Sequence, residues 1–362
     1  MRLKEAVLRV AQAAGAFAIV RNSAWRHRRL LILCYHGVSM DDEHEWSPGL
    51  YITQDKLRER MRALRNGGYT ILPLSEATRR LYDGTLPPRS VALTFDDGAI
   101  DFERRALPVL REFNAPATLY LTTFYCMTRW PVFDTMLGYV LWKGRVNGAD
   151  VSAHCESAES LTVTTDNART KAQKALHDYA TNQHMSAEQK NDLVARVAAT
   201  LGVDYREILA RGTLKIMPPD VVRALPAELI DVQLHTHRHR TPRNRELFQR
   251  EIRDNAILIR ELRGNANPLD QFCYPSGDYY GEFFGWLREC GVRYATTCVP
   301  DLASRDSDPM LVPRFVDTMT QSDTTFDAWA SGFAALLPRR RKYRIDEARL
   351  AMDPALATSA QR

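Results

Sequence analysis

The 362-residue chain has few cysteines for its length. Its six show no CxxC pair and no regular spacing, which excludes a disulfide-stapled mini-domain and a Cys-rich zinc module. They read as reduced packing residues. No apolar run approaches the roughly 20 residues that a membrane span needs, and no Gly/Ser linker or internal repeat divides the chain. The body of the chain lacks any excess of positive charge despite a net charge of +5. The first 29 residues carry seven Lys/Arg against one acid and residues 339–362 seven against three, so the remaining stretch is net −5. A body of that sign excludes a nucleic-acid-binding surface, which requires a basic stripe. The basic ends suit contact with an anionic membrane surface.

What is present is a core's worth of apolar residues, 45% of the chain, enough for one large α/β domain. Leu3, Val7, Val10, Ala14 and Phe17 recur at helical spacing and predict an amphipathic N-terminal helix, an extension covering residues 1–29. A signal peptide competes, because residues 14–18 offer small side chains, but Arg9 and Gln12 interrupt its apolar centre. The expected location is the cytoplasm, at the periphery of the inner membrane, with export as the alternative. Short apolar segments at Leu30–Tyr35, Tyr69–Leu74, Val91–Phe95, Ala117–Thr122, Ile230–Leu234, Gln271–Tyr274 and Tyr294–Cys298 read as buried parallel strands. Helical patterns lie between them, at 53–67, 103–113, 246–263 and 281–290. This alternation predicts an α/β fold with a parallel sheet, open or closed into a barrel, over residues 30–325. Residues 130–218 break the rhythm and predict a helical insertion, with Ser186 and Gln189 placed for a capping box. Residues 326–362, with the run Arg339-Arg340-Arg341-Lys342, predict a basic tail.

Polar residues gather where strands end. His36 follows the first strand, Asp96 and Asp97 the third, His235 and His239 the fifth, and Ser276 the sixth. In parallel folds these ends open on one face, so groups over 200 residues apart converge. Two adjacent carboxylates after a buried strand repel unless a positive partner separates them, and a divalent metal fits that need. Taken alone, Asp96-Asp97-Gly98 reads better as a turn or helix N-cap. The cluster His235-Thr236-His237-Arg238-His239 tips the balance, because imidazoles with one carboxylate make a metal site with open positions. By geometry alone, His237 could replace either neighbour as a ligand.

Thr94-Phe95-Asp96-Asp97-Gly98 and His235-Thr236-x-x-His239, together with a looser Tyr274-Pro275-Ser276-Gly277, make the chain resemble NodB-type polysaccharide deacetylases, carbohydrate esterase family 4. The resemblance covers about residues 30–125 and 218–320. It implies a distorted (β/α) barrel with fewer than eight strands and a hydrolase that removes N-acetyl groups from an amino-sugar glycan or a lipid-linked precursor. Asp97, His235 and His239 would hold the metal, zinc or another divalent ion such as cobalt or nickel. Asp96 would be the general base, and the Ser276 N–H would help hold the oxyanion. The family's usual acid, a late His, is missing from Leu311-Val312-Pro313-Arg314. Some relatives carry a Tyr-His pair on the first strand, similar to Tyr35-His36, which makes His36 the candidate acid. Cys273 stands where the motif has an Arg that orients the base, and Arg314 is the candidate replacement. Competing readings are a metal-dependent amidohydrolase of another class and a non-catalytic carbohydrate-binding relative.

Overall fold

The computed structural model describes residues 2–128, 130–264, 267–338 and 345–351. Ten strands are present among them. They are β1 (Leu31–Tyr35), β2 (Gly37–Val38), β3 (Tyr51–Ile52), β4 (Thr70–Ile71), β5 (Ser90–Phe95), β6 (Ala117–Leu121), β7 (Ile230–Leu234), β8 (Gln271–Cys273), β9 (Tyr294–Thr296) and β10 (Phe315–Val316). Seven run as one curled parallel sheet in the order β10-β1-β5-β6-β7-β8-β9. β4 pairs only with the first residues of β5, before β6 takes up pairing at Leu93. The segment after β9 nearly closes the barrel. It exchanges hydrogen bonds with that strand, Thr297 N donating to Val312 O and Val312 N to Ala295 O at 2.9 Å each, and then enters β10 beside β1.

Strand alternation decides what faces each way. Leu31, Leu33, Val91, Leu93, Phe95, Leu119, Val232, Leu234 and Phe272 join one large apolar cluster under the surrounding helices. The alternate set includes Ile32, Ala92, Tyr120 and Cys273, with Leu74, Ala77 and Leu81 of the helix Leu74–Asp83 against them. This second set is the concave face. Arg314 bonds both Thr94 on β5 and Cys273 on β8, strands separated by β6 and β7, and only the inside of a curled sheet permits that reach. Each fully buried Leu, Ile or Phe contributes about 1.5–3 kcal/mol, so both faces drive the curl.

The residues between β6 and β7 are largely helical and have a core of their own. Met136, Leu137, Tyr139, Leu176, Leu193, Val197 and Leu201 are buried together, and the Ser186–Gln189 capping box forms. The insertion is tied to the barrel rim. On its return, Ile100 N donates to Lys215 O at 2.8 Å and Met217 N to Gly98 O at 2.9 Å, so it braces the loop after β5.

The N-terminal helix Arg2–Ala13 is packed on the body: Leu8 is buried, and Glu5 accepts hydrogen bonds from Ser322 and Thr325. Those residues begin the helix Asp323–Ser331, which straddles the expected domain boundary at 325. Phe326 and Trp329 bury their rings in the main core, so the folded body continues to about Leu337 instead of becoming tail. Residues 345–351 return to the surface of the loop after β8, where Asp346 N donates to Tyr279 Oη at 2.8 Å. The basic run 339–344 and the last residues 352–362 lie outside the described residues. No described helix is long and apolar enough to cross a membrane.

Candidate metal centre and active site

Parallel strands bring their carboxyl ends to one rim, and the site is built there. Asp96 keeps the alternation of Ala92 and Thr94 and turns its carboxylate into the barrel, where it is buried. Arg314, fully buried, grips it with two charge-assisted bonds, Nη1 to Oδ1 and Nη2 to Oδ2, each 2.7 Å. The guanidinium is in turn fixed by Thr297 O at 3.1 Å and Thr94 Oγ1 at 3.0 Å. Burial alone would raise the Asp96 carboxyl, but the charge and hydrogen bonds of Arg314 carry it well below the usual carboxylate range. His36 stands over the same group, Nε2 3.7 Å from Asp96 Oδ2.

Asp97 takes the opposite course. Its φ of 72° reverses the chain, and Gly98 follows at φ 85°. A Cβ at Gly98 would sit 2.3 Å from Leu121 Cδ1, so this turn requires glycine twice over. The Asp97 carboxylate therefore leaves the barrel interior and meets the histidine loop after β7. His235 Nε2 and His239 Nε2 both lie 3.1 Å from Asp97 Oδ1. Burial pushes the Asp97 carboxyl up, but hydrogen bonds from the two histidines outweigh it and leave it depressed. His239 is lowered by burial and raised more by the Asp97 carboxylate. Thr236 at φ 62°, His239 at 53° and Ser276 at 57° join Asp97 in the left-handed region, at a cost of about 1–3 kcal/mol each. Such backbone concentrates at functional rims.

The histidine loop is positioned from behind. His235 Nδ1 meets Cys273 O at 2.9 Å, which turns Nε2 toward Asp97. His235 N donates to Asn255 Oδ1 at 2.9 Å, while Asn255 Nδ2 donates to Leu121 O and Thr123 Oγ1 at 2.9 Å each. Buried Glu251 accepts from Arg238 N at 2.8 Å and from Arg240 Nε at 2.9 Å. Both come from the helix Arg245–Arg263, whose polar buried positions carried no distinguishing mark in the sequence beyond interrupting an apolar face. His237 is directed elsewhere, Nδ1 on Thr123 Oγ1 at 2.9 Å, which removes it from the candidate ligands.

Two imidazole nitrogens and one carboxylate oxygen thus converge on one point. A four-coordinate zinc with bonds of about 2.0–2.2 Å separates its donors by roughly 3.3–3.6 Å, close to the 3.1 Å contacts seen, and the N2O set leaves room for water and substrate. The donor chemistry fits a divalent metal. Ser276 lies exposed on the rim after β8 and lines, with Gly277, Tyr279 and Cys298, an open cleft of about 930 Å³ that residues 345–349 also wall.

A curled parallel barrel of this kind opens its strand ends on one rim, and the groups described above meet there. Residues 83–295 match the polysaccharide deacetylase family, more than half of the chain, and the chain belongs to that family. The poly-beta-1,6-N-acetyl-D-glucosamine N-deacetylase of Escherichia coli strain K12 is 30% identical over 101 residues, 28% of this chain and 15% of that protein. The chain therefore aligns with only a small part of that relative. Two solved structures share the fold. The Streptococcus pyogenes deacetylase PplD in complex with acetate has a TM-score of 0.54 at 16% identity, covering 86% of this chain and 99% of its own. IcaB from Ammonifex degensii has 0.53 at 17%, covering 84% and 97%.

Proposed function

We propose that the protein is a metal-dependent deacetylase that removes N-acetyl groups from an amino-sugar polysaccharide or a lipid-linked glycan precursor. The observation that carries this reading is the separation of two neighbouring carboxylates, Asp96 held by Arg314 and Asp97 held by two histidines. One environment keeps a charged base inside the barrel, and the other presents ligands at its mouth. Asp97, His235 and His239 would hold the metal, zinc or a similar divalent ion. Such an ion polarises the acetyl carbonyl and acidifies water. Asp96, oriented by Arg314, takes the proton from the attacking water, and His36 returns one to the departing amine. The Ser276 N–H on the rim donates to the oxyanion. Since the Escherichia coli relative is named for poly-β-1,6-N-acetyl-D-glucosamine, oligomers of that polymer are the first substrates to try. The basic termini favour a substrate at a membrane surface.

The test is acetate release from a panel of N-acetylated oligosaccharides, with metal content measured in parallel. Asp96→Asn is expected to abolish turnover while keeping its metal, and Asp97→Asn to lose both. No acetate from any member of the panel with fully metal-loaded protein, or undiminished turnover in Asp96→Asn, would overturn the reading.

A further inference from the structure

Three thiols crowd the Asp96–Arg314 pair, and the proposed deacetylation uses none of them. Cys34 comes from β1, Cys273 from β8, and Cys298 follows β9. Cys34 Sγ lies 3.5 Å from Asp96 Oδ2 and 4.0 Å from His36 Nδ1. Cys273 Sγ lies 3.4 Å from the same oxygen but is taken up by Arg314 Nη2 at 2.9 Å. One donor atom each of Cys34, His36, Asp96 and Cys298 falls within 4.8 Å of the other three. The donors of a tetrahedral zinc with bonds of about 2.0–2.3 Å are roughly 3.3–3.8 Å apart. The Cys34–Asp96 contact at 3.5 Å and the His36–Asp96 contact at 3.7 Å already have that spacing.

We propose that Cys34, His36, Asp96 and Cys298 form a second metal site, with two sulfur donors, for a soft or borderline divalent cation such as zinc or cadmium. Two thiolates, an imidazole and a carboxylate make a donor set that suits thiophilic ions better than hard ones such as magnesium or calcium. Charge balances as well. Two thiolates and the Asp96 carboxylate are three negative charges, and the buried Arg314 together with a divalent ion cancels them. The site has an entrance, because Cys298 lines the open cleft of about 930 Å³, while Cys34 is wholly buried behind it.

The consequence rests on the roles proposed above for Asp96 and His36. An ion bound here occupies both the base and the acid, so filling the site stops turnover. The protein is therefore inhibited by excess of the metal that activates it.

Cobalt(II) is the probe, because thiolate ligation adds a near-ultraviolet charge-transfer band that an N2O centre lacks. The full chain should take up two cobalt ions, one of them producing that band, and acetate release should fall as the band grows. Cys298→Ser should bind one ion, show no band, and need at least tenfold more zinc for the same fractional inhibition. Asp97→Asn should keep the band and lose the other ion. An Asp97→Asn variant that still binds two ions would refute the deacetylase centre alone. The thiolate site is refuted by absence of the band in the wild-type chain or its persistence in Cys298→Ser. As a check independent of any variant, zinc in excess should slow iodoacetamide labelling of Cys298 in the wild-type protein at least tenfold. Unchanged labelling also refutes the site.

Discussion

Replacing Arg314 with Met removes the charge that holds Asp96 while retaining most of the side-chain volume. Arg314 is fully buried and gives Asp96 two 2.7 Å bonds, so the variant strands a carboxylate inside the barrel. Breaking a buried pair from one side costs about 3–5 kcal/mol. At about 1.36 kcal/mol per pKa unit, that corresponds to a swing of roughly two to four units in the Asp96 carboxyl. In the wild type this group is depressed by Arg314, and its contribution to stability is present above the unfolded value of about 3.9. It is lost only as pH falls through the lower folded value. In Arg314→Met burial dominates and the folded value lies above 3.9, so the variant is least stable at neutral pH and recovers as the group is protonated. Urea unfolding with equal metal loading should show a gap of about 3–5 kcal/mol at pH 7 that narrows steadily toward pH 4. The acidic limb of kcat/KM should move to higher pH in the same variant. A gap below about 1 kcal/mol, or one independent of pH, would show that Arg314 does not set the state of Asp96.

Other outcomes follow from single contacts. His36→Ala should lower kcat by about 10²–10⁴-fold at constant metal content, and full activity would remove His36 as the acid. Asn255→Ala breaks three bonds that hold His235 and the strand ends beside it, so metal affinity by competition with a chelator should drop about 10–100-fold. An unchanged affinity would mean the loop is held by Glu251 alone. Gly98→Ala meets Leu121 Cδ1 at 2.3 Å at a φ of 85°, and thermal unfolding should register a loss of at least about 1–3 kcal/mol. A neutral result would show that the loop after β5 can shift.

Much of the barrel could be read along the chain, because a buried strand is a short apolar run wherever it lies. The segments ending at Tyr35, Phe95, Thr122 and Leu234 match β1, β5, β6 and β7 within a residue. β10 was too short to stand out, and β4 shrank to two residues because only the start of β5 is free to pair with it. The helix Asp323–Ser331 carries no such mark, since its residues become core only by meeting the N-terminal helix and the barrel wall.

The sequence by itself determined the ingredients of the centre: paired carboxylates after one strand, a histidine cluster after another, and His36 after a third. Their local order is enough, because parallel strands of one sheet must deliver their ends to one rim. Tertiary structure alone decided how these groups divide. Positive φ at Asp97 separates two adjacent carboxylates, and Thr123 withdraws His237 from the ligands. Arg314, 218 residues from Asp96 in the chain, becomes its partner only because the sheet curls and excludes water from the space between them. The three thiols beside that pair come from separate strand ends in the same way, and no spacing along the chain records their meeting.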